Sequence, residues 1–260
     1  MNKKLNNILI SNDDGYESVG LKVLLNIAEQ LADNVLIVSP KINQSAKSKS
    51  ITIKKNINYR EISKNFWIVE GTPTDCMIFA LNHIFKKNKP DLILSGINAG
   101  SNIGDEVSYS GTVAAAWEGA VRKIDSIALS QYGGDNTINS YKCSQAKGLE
   151  IINYILKIKS QTPKFYNVNF PYITSFNLEN VRSSFTTLAS QKIADEILVD
   201  NDSNSFRIGR MINDHRSLNN TDLECLQKNK ISITPLSFNL NNYEFFNELN
   251  HDLWKYNSKS

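Results

Sequence analysis

Cysteine is scarce in this chain and never paired. The three residues, Cys76, Cys143 and Cys225, lie far apart and form no C-x-x-C. An odd, widely spaced set excludes a disulfide framework and a cysteine zinc site, and fits a reducing compartment. Histidine is equally rare: His83 reads as a solvated or packed residue of the helix after Thr72, and His215 and His251 have no partner at metal spacing. An excess of one charge is missing too. The 29 Lys and Arg against 26 Asp and Glu leave a net +3, which gives no reason to expect a nucleic acid polymer as partner. No apolar run approaches the ~18 residues of a membrane-spanning helix. The basic start MNKKLNN passes into polar SNDDG without a signal-peptide core. The expectation is a soluble, cytoplasmic protein with no membrane partner. Two phosphate-binding signatures are absent as well: G-x-G-x-x-G of the dinucleotide folds and G-x-x-x-x-G-K-[ST] of the P-loop.

What is present is a core and an alternation. Apolar residues make up 41% of 260 positions, enough for one α/β domain with extensions. Strand-like runs at 6–11, 34–40, 66–71, 91–96, 126–131 and 165–171 alternate with helical stripes at 18–32, after Thr72, at 111–123 and at about 140–158. The helix after Thr72 carries its own start signal: Thr72 at the N-cap, Pro73 at N1 and Asp75 at N3. Segments 47–55 and 56–62 resemble a polar-edged hairpin. Strand and helix in turn predict a Rossmann-like, doubly wound, mostly parallel α/β sheet over residues 1–171. Residues 172–260 read as β-rich extensions, not an independent domain, with strand-like SFRIGRM and KISITPL and a terminal helix over 242–256.

Ligands in such sheets bind beyond the carboxyl ends of the strands, where strand order reverses. The unusual polar residues fall there. Asn12, Asp13 and Asp14 follow the first strand, Ser45 follows the second, and Asn98 and Asn102 follow the fourth. With strand order 3-2-1-4-5, Asp13, Asp14 and Asn98 face one crevice. Two adjacent carboxylates at a strand end repel each other unless a cation lies between them. A hard divalent ion suits them, with the Ser45 hydroxyl and the Asn98 amide as neutral oxygens. A surface turn is the competing reading, since D-D-G is common in loops. The stretch 95–120, SGINAGSNIGDEVSYSGTVAAAWEGA, then supplies a glycine-rich, donor-bearing loop. It runs into Ser110, Gly111 and Thr112 at a helix start, where free N–H groups and the dipole favour an anion. Ordinary capping by Ser110 or Thr112 is compatible with that role. A cation site and an anion cradle in one crevice point to a phosphorylated substrate.

Four blocks, ILISNDDGYESVGL, SPKINQSAKSKSIT, GTPTDC and the 95–120 stretch, lie in order across residues 8–120. Together they resemble the SurE (stationary-phase survival protein E) nucleotidases. The resemblance implies a metal-dependent 5′-nucleotidase of acid-phosphatase type, acting on nucleoside 5′- and 3′-monophosphates and on short polyphosphate. It implies a homodimer or homotetramer built partly through the C-terminal extensions. It places the metal ligands on Asp13, Asp14, Ser45 and Asn98, with Asp13, Asp14 and Asn98 catalytic. Asn12, Asn102, Ser110, Gly111 and Thr112 would contact substrate or phosphate. The implied cofactor is one divalent ion per subunit, Mg²⁺ or Mn²⁺, with Ca²⁺ able to replace it in crystals. Two positions depart from the family pattern: Gln44 stands where arginine is frequent, and Ser101 where proline is. Both bear on substrate preference.

Rival readings fail on particular residues. An aspartyl-phosphate enzyme needs a second Asp two places on, where this chain has Gly15. A dinucleotide oxidoreductase lacks its glycine fingerprint. A non-catalytic nucleotide sensor remains the alternative, binding the same ligand in the same cradle.

Overall fold

In the computed structural model, which describes residues 4–135, 137–173, 178–189, 192–213 and 219–242, the alternating pattern becomes β1 (Leu5–Ser11), α1 (Val19–Leu31), β2 (Ala32–Pro40), β3 (Tyr59–Ser63), β4 (Phe66–Val69), α2 (Pro73–Phe79), β5 (Leu92–Ala99), α3 (Gly111–Val121), β6 (Ser126–Gln131), α4 (Lys142–Lys157) and β7 (Phe165–Phe170). Beyond them come β8 (Ser183–Phe185), β9 (Lys192–Asp200), β10 (Ser205–Asn213), α5 (Asp222–Gln227) and β11 (Ile231–Pro235). Nine strands form one sheet in the order β3-β4-β2-β1-β5-β6-β7-β11-β8. From β4 to β7 every neighbouring pair is parallel. The chain winds outward from β1 to β4 and then returns to β5, so the strand order reverses between β1 and β5. This is the predicted doubly wound arrangement with the predicted reversal.

Both faces of the sheet are covered, which is why its strands read as nearly continuous apolar runs. Ile8, Ile10, Leu92 and Leu94 face α1 and α4, meeting Leu24, Ile27, Ile151 and Ile155. Leu9, Val38 and Ile93 face the other way, against Met77, Ala80 and Ala115. The α2 start is as expected. Thr72 caps it, Asp75 completes the reciprocal capping box, and Pro73 occupies the first turn. Cys76 in that turn is fully buried. Desolvation, with Asp75 adding to it, pushes its thiol well above the usual range, so it is a packing residue and not a reactive one.

Two expectations need correction. The hairpin lies one segment further on, between β3 and β4. Its turn contains Asn65 at φ +65°, a left-handed conformation that asparagine tolerates. The polar run before it has a different anchor. Thr52 donates from its N–H and its hydroxyl to the Asp75 carboxylate, at 2.9 and 2.8 Å, and so folds the run over α2 instead of into a strand. The region after Pro171 is also not all outside the main sheet. There β11 pairs antiparallel with β7, and β8 pairs with β11. Among the described residues, β9 and β10 alone form a separate antiparallel ribbon, with Val199, Phe206 and Ile208 exposed on it. The terminal helix expected at 242–256, like His215 and His251, lies almost wholly outside the described residues. No helix among the described residues is long and apolar enough to cross a membrane.

Candidate active site

The chain leaves β1 through Asn12, which is only 1% exposed. Its Oδ1 accepts from the Ser39 hydroxyl at 2.5 Å, and its Nδ2 donates to Gly15 O and Ser18 Oγ, both at 2.8 Å. Ser18 in turn caps α1. Gly15 takes φ +97°, a value open to glycine and strained for other residues. The sequence placed Asn12 beside the substrate; in the structure its amide holds the turn that carries Asp13 and Asp14.

Each acid is fastened to a different element. Asp13 is 3% exposed. Its Oδ1 accepts from the Thr112 hydroxyl, and the Thr112 backbone N–H also supports the carboxylate. Gly111 lies flush against it: a Cβ there would stand 2.8 Å from Asp13 Cβ and 3.0 Å from Oδ2. Only a residue without a side chain lets the α3 start approach this closely. Ser110 caps α3, accepting from Val113 N at 3.1 Å. Asp14 Oδ2 accepts from Ala99 N at 2.9 Å, which ties it to the end of β5. Next to Ala99, Asn98 donates its Nδ2 to Gly100 O at 3.1 Å, which leaves its Oδ1 without a donor among the described residues. Thus Asp13, Asp14, Asn98, Gly111 and Thr112 meet at the β1/β5 reversal.

Ser45 lies on an exposed loop whose two sides are pinned. Gln44 N donates to Asp13 O at 2.7 Å. Ser48 donates its N–H to Tyr109 O at 3.0 Å and its hydroxyl to Ser108 O at 2.7 Å. The loop therefore bridges the acid turn and the approach to α3. Asn102 is locked from below. Its N–H donates to Asn169 Oδ1 at 2.8 Å, its Nδ2 to Ser130 Oγ at 2.7 Å, and its carbonyl accepts from Asn167 and Asn169. Sequence reasoning missed Asn167 and Asn169. Their signal was visible as two asparagines inside the apolar strand FYNVNF, and both are fully buried. Asn169→Ala removes two of these bonds and leaves a buried N–H without its acceptor. Unfolding in urea is expected to show a loss of about 1–3 kcal/mol; an unchanged midpoint would mean the network carries no load.

The electrostatics match the geometry. Burial, and then the neighbouring Asp14, raise Asp13 from 3.8 to about 7, against the lowering hydrogen bonds from Thr112. Burial raises Asp14 as well, opposed by the Ala99 N–H. Without a positive partner the two carboxylates resist being charged together. The donor set fits a hard divalent cation: two carboxylates with an open amide oxygen and a nearby serine loop, all oxygen. Among the described residues no group of three or more His, Cys, Asp or Glu gathers to hold a metal, so the charge on offer is that of this pair.

The family model described as Survival protein SurE matches residues 8–195. A protein named 5′-nucleotidase SurE from Paramagnetospirillum magneticum is 39% identical over 236 residues, covering 90% of each chain. One of the same name from Methylorubrum populi is 37% identical over 238 residues, covering 90% of this chain and 93% of its own. The crystal structure of the SurE protein from Aquifex aeolicus superposes with a TM-score of 0.81 at 29% identity, covering 94% of this chain and 98% of that one. With the acid pair, the glycine-rich loop and the α3 start all inside the matched span, the chain belongs to the Survival protein SurE family.

Proposed function

We propose that the crevice hydrolyses the phosphomonoester of nucleoside 5′-monophosphates, with 3′-monophosphates and short polyphosphate as further substrates. One observation carries this reading: the buried Asp13, next to Asp14, lies in direct contact with a helix start, so a cation site and an anion site share a wall at Asp13 and Gly111. The names of the relatives support the substrate class. One Mg²⁺ or Mn²⁺ per subunit, held by Asp13, Asp14, Ser45 and Asn98, would neutralise charge on the phosphoryl group and acidify water.

The chain's own residues set the rest. The α3 start offers backbone N–H groups and the positive end of its dipole to phosphoryl oxygens as charge develops. Thr112 holds Asp13 in place from the same turn. Asn102, clamped by three side chains on β6 and β7, fixes the path of the glycine-rich loop past the substrate. Asn12 keeps the two acids aimed into the crevice. The exposed apolar face of the β9–β10 ribbon suits a homodimer or homotetramer contact.

Phosphate release from a panel of 5′- and 3′-nucleotides, with and without chelator and with several divalent ions, tests the reading. Metal-restored turnover of the nucleotides is the expected result. Release that survives complete chelation would remove the metal. Tight nucleotide binding with no turnover would favour the sensor.

A further inference from the structure

One face of α3 serves the crevice and another lines a separate pocket. Thr112 points to Asp13, whereas Ser110, Val113, Ala114 and Trp117 recur at i, i+3, i+4 and i+7 and line a pocket of about 220 Å³. Ser48, Lys49 and Ser110 line it together with Trp117, Phe165 and Leu236. Ser110 immediately precedes Gly111, so the pocket borders the phosphate cradle. The volume is below the roughly 300–1,000 Å³ of whole-ligand sites. It suits one flat ring and not an entire nucleotide.

Two polar groups in this pocket have no part in the crevice. The Trp117 indole N–H is buried and finds no acceptor among the described residues. A buried donor without a partner is uncommon and calls for one. The Lys49 ammonium stands 4.5 Å over the Trp117 ring, within reach of the same space. Both groups can only donate. The matching ligand is an apolar-faced ring that carries acceptors at its edge.

We propose that this pocket receives the nucleobase of the substrate and that Trp117 and Lys49 favour bases with carbonyl edges, such as guanine, hypoxanthine and uracil. The inference rests on the nucleotide reading of the crevice: phosphate at the α3 start, base along the flank of the same helix. Neither residue acts on the phosphoryl group.

Calorimetric binding of the non-hydrolysable phosphonate analogues of guanosine and adenosine 5′-monophosphate, and of inorganic phosphate, with Mg²⁺ present, tests it in the intact chain, Trp117→Phe and Lys49→Ala. The intact chain is expected to bind the guanosine nucleotide more tightly than the adenosine one. Each substitution is expected to weaken the guanosine nucleotide about tenfold, the worth of roughly one hydrogen bond, while phosphate binding stays within about twofold. Equal weakening of nucleotide and phosphate overturns the proposal, as does a nucleotide affinity that neither substitution changes. Lys49 is exposed, so its variant carries the test if Trp117→Phe unfolds. Hydrolysis of p-nitrophenyl phosphate, which has no base, is read in parallel. If it is absent while nucleotide binding depends on Trp117, the phosphatase reading falls and the pocket stands. If it is intact while binding ignores both residues, the pocket falls alone.

Discussion

Asp13→Asn is expected to cut nucleotide turnover by at least about 10²–10³-fold, the range for loss of one electrostatic contact to a transition state, and yet to stabilise the metal-free protein above neutral pH. The two effects share one cause. The carboxyl is nearly fully buried beside Asp14 and is raised from 3.8 to about 7. A group raised on folding holds a proton that the unfolded chain has released. Its stabilising contribution is therefore complete below about pH 3.8 and is lost as pH climbs through about 7. That interval corresponds to roughly 4 kcal/mol. Asparagine keeps an oxygen for the Thr112 hydroxyl and carries no charge. In chelator, the melting temperature of the native chain should fall between pH 5 and 8, and that of the variant should fall less. Mg²⁺ should restore the native chain and do little for the variant. Near-normal turnover in Asp13→Asn would refute its role. Parallel pH slopes would show that the charge conflict lies elsewhere.

The second large effect comes from a residue far less conspicuous in the sequence. Gly20, in the first turn of α1, packs on the main chain of β5. A Cβ at this position would stand 1.8 Å from Ile97 O and 3.1 Å from Tyr141 Cε1. Backbone oxygen at 1.8 Å cannot be met by a rotamer change, so helix or strand must move. Gly20→Ala is expected to cost about 3 kcal/mol or more, at the upper end for overpacking. It should also reach the active site. Ile97 is followed by Asn98 and by Ala99, whose N–H holds Asp14. Turnover per folded molecule should therefore drop even at temperatures where the variant is still native. Urea unfolding and turnover on the same preparation check this. A variant with the native midpoint would show that α1 and β5 can separate without cost.

These two residues mark how far the sequence carries. Asp13 was legible because its chemistry is local: adjacent like charges at a strand end need a reason, and the period-2 and period-3.6 patterns already located that strand end. The helix start at Thr72 and the strand reversal were legible on the same grounds. Gly20 was not legible, because its partner is 77 residues away and nothing in SVGLKV announces a carbonyl above it. The bonds that hold Asn12 were hidden for a related reason, because its partner Ser39 lies on the neighbouring strand. The hairpin slipped because a polar alternating run has no buried face to set its register, and Asp75 supplied another anchor.

The sequence by itself determined the elements, the doubly wound order and the residue types at the strand ends, since these follow from periodicities and caps within a few residues. Only the tertiary structure decided which polar groups are spent on each other and which stay open to a ligand. Hydrogen-bond satisfaction and burial depend on partners brought together by the sheet: Thr112 on Asp13, Ala99 on Asp14, and none of the described residues on the Trp117 indole.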